Sequence, residues 1–242
     1  MTELPKPTPL AADFLLSVLM PVFNEKNTIR EILARVKATP FRKEIVLVDD
    51  CCTDGTSEVL RELAAADPEL RLVRHAKNQG KGAALRSAFA VATGDIWLVQ
   101  DADLEYSPDD YAALLRPLVD GKAHVVYGSR FIGGAYSRVH LYSHYLGNKA
   151  LTLFSNMMTG LNLTDMETCY KVMLRAVAQR IQIRSQRFNI EPELTAKIAR
   201  MKARVFEVPV RYAGRDFAEG KKISWRDGIS ALWAIFRFRF FR

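Results

Sequence analysis

The chain has 242 residues, 49% of them hydrophobic and 26% charged, with a formal net charge of +8. That length and apolar content suit one sizeable core. No apolar run reaches the ~20 residues that span a bilayer, and no basic start precedes an apolar core with a small-residue cleavage site, so a cytosolic protein is expected.

In chain order, residues 1–13 (MTELPKPTPLAAD) carry three prolines and no apolar period, and a flexible lead-in is expected there. Leu15 to Met20 read as a buried strand stopped by Pro21, after which Ile29, Ile32, Leu33 and Val36 recur at helical spacing. EIVLVDD is a second buried strand, and Thr53, Asp54 and Thr56 mark the start of a second helix. LRLVRH, GKGAALRSAFAVAT and DIWLVQ then read as strand, helix and strand. AHVVYGSR is a strand running into Arg130, SHYLGNKALTLFSNMMTG a long helix, EPELTAKIAR a helix and ARVFEVPVRY a strand. This alternation predicts an α/β fold in a single domain over residues 14–223, with a mostly parallel sheet covered by helices on both faces.

Ligands of such sheets sit beyond the carboxyl ends of the strands. Pro21 to Glu25, Asp49 with Asp50, and Asp101, Asp103 and Glu105 all follow strands, so three acidic clusters should meet at one edge. Residues two apart on extended backbone point to the same side, and three like charges there call for a cation. Oxygen-rich carboxylates are ligands for a hard ion such as Mg²⁺ or Mn²⁺. The competing reading is that these acids cap the helix after Pro108, and for Asp109 and Asp110 it is the better one. GKGAAL lacks the last glycine of a dinucleotide fingerprint, and no GxxxxGK[ST] loop occurs. An aspartyl phosphotransferase usually has Thr or Val after its DxDx, where Glu105 stands here. The three cysteines, Cys51, Cys52 and Cys169, lack metal-type spacing, and the adjacent pair is poorly placed for a disulfide.

The segments PVFNE, VDDCCTDGT, NQGKGAAL, QDADLEY, GSRF, DMETCYK and GRDFAEGKKI stand in the order expected of family 2 glycosyltransferases. The chain most resembles their dolichyl-phosphate mannose synthase and bacterial polyprenyl-phosphate glycosyltransferase branch, over residues 17 to about 226. The resemblance implies a GT-A fold, a mixed sheet that holds a nucleotide sugar. It places Pro21, Phe23 and Glu25 along the nucleoside and Asp50, with Asp49, at the base or ribose. Lys81 and Ala102 join that donor set. Asp101, Asp103 and Glu105 match the metal–diphosphate site, for Mg²⁺ or Mn²⁺. Arg130 and Arg138 match positions that hold an acceptor phosphate, and arginine forks suit a phosphate dianion. Arg215, Lys221 and Lys222 lie in a segment resembling the loop that closes over the donor diphosphate. The family's VDDGSTDGT reads VDDCCTDGT here, replacing a Gly-Ser pair with two thiols and altering the turn.

A phosphate acceptor is already anionic near neutral pH, whereas a sugar hydroxyl needs a general base. Asp165 and Glu167 keep the second route open, and helix capping is a third role for Asp165. His140 and His144, four apart and without an H-E-x-x-H pattern, line the acceptor site or pack. Residues 171–242 hold 17 Lys and Arg against 6 Asp and Glu, while residues 1–170 hold 18 against 21. Within that basic third, Trp225, Ile229, Leu232, Trp233, Phe236 and Phe240 recur at helical spacing beside arginines. Residues 224–242 therefore suit a helix lying on a membrane surface, with core packing or an extended 236–240 as rivals. The expected function is transfer of a hexose from a UDP- or GDP-sugar to a polyprenyl phosphate, by a peripheral protein at the cytosolic membrane face. The rivals are transfer to a sugar hydroxyl, and a basic protein binding lipid or nucleic acid without catalysis. Nucleic acid is not an expected partner, because that reading leaves the acidic edge unexplained.

Overall fold

The computed structural model describes residues 4–133, 138, 142–187, 189–214 and 225–241. The chain opens with β1 (Leu16–Val22), α1 (Ile29–Ala38), β2 (Lys43–Asp49), α2 (Thr56–Ala66), β3 (Leu70–Arg74), α3 (Lys81–Val91) and β4 (Ile96–Val99). A 3-10 turn (Pro108–Asp110), α4 (Tyr111–Val119), β5 (Val125–Ser129) and α5 (Tyr142–Thr159) follow. Then come β6 (Lys171–Leu174), the single turn α6 (Arg175–Ala178), α7 (Ile190–Arg200), β7 (Val205–Pro209) and α8 (Trp225–Phe240).

The sheet order is β3-β2-β1-β4-β6-β5-β7. β1 to β4 are mutually parallel, β5 is parallel to β7, and β6 runs antiparallel to both β4 and β5. All six strands other than β6 therefore end at one edge, where β6 begins. The central strands are buried on both faces, which is why their sequences are continuous runs of Val, Leu and Ile. On α1, Ile29, Ile32, Leu33 and Val36 form the buried stripe that their spacing predicts.

Two expectations need correction. Pro21 does not stop the first strand, because β1 pairs with β4 only as far as Leu19–Val99. Beyond that point the missing proline N–H has no partner to lose, and Pro21 stays paired in register with Val48 of β2. The proline-rich lead-in lies against the domain from residue 4 onward. Leu4 is buried, His124 Nε2 bonds the Pro5 carbonyl at 2.7 Å, and Leu10 N–H donates to Val119 O at 3.1 Å. The tail is helical through Phe240 rather than extended at 236–240. Its core-facing side is Ala231, Ala234, Ile235 and Phe238, packed on α5 and α7. The stripe of Ile229, Leu232, Trp233, Phe236 and Phe240 faces outward, with Trp233 60% exposed.

Candidate active site

The chain runs from β1 to β2 on one side and returns to β4 on the other, so the β1/β4 boundary is the topological switch point where such sheets bind ligands. Phe23 to Glu25, Asp49 with Asp50, Asp101 to Glu105, and Arg130 all leave the sheet at this edge.

The carboxylates following β2 are held by the backbone around them. Asp49 accepts from Ser57 Oγ at 2.6 Å and Cys52 N at 3.0 Å, with Arg74 at 3.3 Å. Despite its burial, these donors hold its pKa below the usual carboxylate value. Asp50 accepts from Gln79 N at 2.9 Å and Gly80 N at 2.7 Å, and its Oδ1 lies 2.7 Å from His75 Nδ1. Glycine-rich helix starts often cradle anions. At α3, Asp50 takes the Gly80 amide and Gln186 O takes the Ala83 amide. Glu25 is buried at the entry to α1, where its Oε2 accepts from Thr28 Oγ1. Pro21 lies within β1, and Phe23 is half-buried just after it. Cys51 adopts φ +61°, a left-handed conformation that favours glycine. The Cys52 thiol is pushed up to about 12, chiefly by burial, and accepts from Asn24 N, so it acts as a hydrogen-bonding group.

After β4, Gln100 N–H donates to Leu19 O at 3.0 Å and brings Asp101 to the edge. Lys81, the first residue of α3, contacts both Asp101 oxygens at 2.9 and 3.1 Å and Glu191 at 3.3 Å. Ala102 is buried beneath. Asp103 Oδ1 accepts from Glu105 N at 3.1 Å across Leu104, whose φ of +64° closes a tight turn. Glu105 Oε2 accepts from Tyr212 Oη at 2.9 Å. Among the described residues, no group of three or more His, Cys, Asp or Glu side chains is placed to hold a metal ion. A Mg²⁺-type ion needs only one or two carboxylates when substrate phosphates supply the rest. The all-oxygen pair Asp101 and Asp103 fits that requirement, while Glu105 is turned toward Tyr212. Asp109 lies in the first turn after Ser107, whose Oγ caps its N–H, and Asp110 instead accepts from Arg211 N at 2.7 Å.

Across the edge, Arg130 forms a fork on Asp165, with Nε and Nη2 each donating at 2.7 Å and its own backbone N–H at 3.1 Å. Asp165 is fully buried, and Glu207 accepts from the Thr164 and Asp165 amides below it. The guanidinium carbon lies 5.0 Å from the Tyr212 ring centroid. Burial opposes the Arg130 charge, but the Asp165 carboxylate paired with it more than offsets this and holds its pKa well above the usual value. Arg138 is exposed, and its Nη1 donates to Gly214 O at 2.9 Å. Glu167 is half-exposed as a residue, yet its Oε1 is shielded and has no hydrogen-bond partner. Burial, then Glu191, raises its pKa to about 7 against the pull of Lys171 and Arg130.

Arg215, Lys221, Lys222 and His140 lie outside the described residues. His144 is half-buried on α5, where its carbonyl accepts from Asn148. Sequence reasoning missed Lys171, Glu191 and Tyr212. Lys171 is fully buried and paired with Glu191, and its Nζ also donates to Met166 O at 3.0 Å and to Thr168 O. A lone lysine inside the apolar run CYKVML was the available signal. Glu191 gave none, since acidic residues are ordinary in a helix's first turn.

Residues 17–182 match the family described as Glycosyl transferase family 2. The chain is 27% identical to an undecaprenyl-phosphate mannosyltransferase of Micrococcus luteus, over 91% of this chain and 97% of that protein. It is 29% identical to a polyprenol monophosphomannose synthase of Mycolicibacterium smegmatis, over 84% of this chain and 79% of that protein. In structure it is similar to glucosyl-3-phosphoglycerate synthase of Mycobacterium tuberculosis, solved with Mn²⁺, UDP and phosphoglyceric acid. The TM-score is 0.72 at 18% identity, covering 96% of this chain and 80% of the other. The single mixed sheet of GT-A type is thus the fold the sequence implied.

Proposed function

The chain belongs to glycosyl transferase family 2, and on that premise we propose that it moves a hexose from a nucleotide sugar to a polyprenyl phosphate, with inversion. The observation that carries the choice of acceptor is the Arg130–Asp165 fork. Asp165 accepts three hydrogen bonds from Arg130 and is committed to holding that cation, whereas a phosphate nucleophile needs no base. Arg130, fixed in this way, and the exposed Arg138 would aim the acceptor phosphate at the anomeric carbon. A phosphate oxygen forms the new C–O bond as the bond from that carbon to the diphosphate breaks on the opposite face. A divalent cation, Mg²⁺ or Mn²⁺, would supply charge neutralisation of the leaving diphosphate, held by Asp101 and Asp103. Among the relatives, names specifying undecaprenyl-phosphate and polyprenol point to the same acceptor class.

No helix among the described residues is long and apolar enough to cross a membrane. A lipid acceptor is instead met at the outward stripe of α8, and the adjoining α5 also exposes Tyr142, Leu153 and Met157. Arg237 and Arg239 sit beside that stripe and suit an anionic cytosolic leaflet.

One observation favours a second reading. A carboxyl poised at about 7 suits a general base for a sugar hydroxyl, and Glu167 has that value. Calorimetric titration with UDP and GDP, each with Mn²⁺ or EDTA, tests the donor reading: metal-dependent binding of one nucleotide is expected, and binding of neither overturns it. Glu167→Gln separates the acceptors. Transfer to a short-chain polyprenyl phosphate should stay within about threefold of normal, whereas a loss of ~10³ or more would favour the hydroxyl route.

A further inference from the structure

The first turn of α7 carries two buried carboxylates, Glu191, which reaches Lys81 of α3, and Glu193, which holds the segment packed on α3. Glu193 accepts from Arg184 N at 2.7 Å and Ser185 N at 2.6 Å, fixing the segment that precedes α7. That segment lies so close to α3 that a Cβ on Gly82 would meet Ser185 O at 2.4 Å. Lys81 is therefore presented from a backbone gripped on both sides. Its ammonium faces two carboxylates, Asp101 on the site side and Glu191 behind. Cys169 adds no charge there, since burial keeps its thiol protonated. Glu191 in turn reaches Lys171, whose other hydrogen bonds go to backbone carbonyls.

An ammonium in contact with both oxygens of Asp101 competes with a divalent cation for the same carboxylate. A second anion behind the ammonium weakens that competition, because it offers Lys81 a partner that the cation does not use. We propose that Glu191 is a positioning residue for the donor end of the site, holding Lys81 so that Asp101 keeps an oxygen for the cation. This rests on the donor reading above and assigns Glu191 an effect exerted through Lys81 alone.

The test is a double-mutant cycle read by calorimetry, using UDP and GDP with Mn²⁺ on the full chain. Glu191→Gln should weaken Mn²⁺-dependent nucleotide binding about tenfold, the usual scale for a group that orients a metal ligand. In a Lys81→Met background the same change should cost less than about twofold, because the group it acts through is gone. An equal loss in both backgrounds, or no loss in either, would overturn the proposal and leave Glu191 a structural residue. If Glu191→Gln does not fold, Glu191→Asp carries the same cycle, since it keeps a charge for Lys171 but withdraws from Lys81. A wild-type protein that binds neither nucleotide would overturn the donor reading itself, and the proposal with it.

Discussion

The two sides of the site edge hold their carboxylates by different means. Beside β2, Asp49 and Asp50 are held mainly by neutral donors, with Ser57, Gln79, Gly80 and Cys52 contributing. Beside β4 and β5, Asp101 and Asp165 are held by Lys81 and Arg130. Neutral donors fix a loop and leave the negative charge in place, which suits a nucleoside wall. Cationic partners cancel the charge locally and can share it with an arriving ion or phosphate, which suits the groups that meet diphosphate and acceptor.

The harshest way to break this contrast is to remove one member of a buried pair. Asp165→Ala strands the Arg130 guanidinium and should cost about 3–5 kcal/mol, seen as a fall in Tm of ~6 °C or more together with loss of transfer. Asp103→Ala should abolish transfer while leaving Tm within about 2 °C, because Asp103 sits half-buried in the turn after β4, outside the core. Retained activity would remove it from the cation site. On the neutral side, Asp50→Asn replaces an acceptor oxygen with a donor beside Gln79 and Gly80. Denaturant unfolding should show a loss of about 1–3 kcal/mol, less than for Asp165→Ala. An equal loss would erase the distinction between the two sides.

The smallest effect sharpens the contrast through pH. Glu167 is raised to about 7 when folded, so between the ordinary carboxylate value and 7 the unfolded chain binds fewer protons than the folded one. Its contribution is therefore fully present below about pH 4 and is lost as pH rises to 7. Glu167→Gln should melt with wild type near pH 4 and clearly above it at pH 8. A constant difference across that range would show that Glu167 does not titrate there.

Much of this was legible in the sequence where information is local. Continuous apolar runs mark the central strands and the 3.6 pattern marks the helices, and the acids at strand ends name the ligand edge. The error at Pro21 was also local in kind, since Pro21 reads as a stop only if the strand needs a partner on both sides.

β6 was invisible for a different reason. It has four residues and no alternation, and antiparallel pairing on both sides makes it a strand. The sequence by itself determined the α/β class, the order of the motifs and the acidic edge, because side-chain period and turn chemistry are set by neighbours in the chain. Only the tertiary structure decided that Asp165 serves Arg130, that Lys171 is buried and that Glu191 stands behind Lys81. Those pairings join residues 20 to 110 positions apart in the chain, or across the sheet. A charge's role depends on which opposite charge the fold brings within 3–4 Å in a region shielded from water.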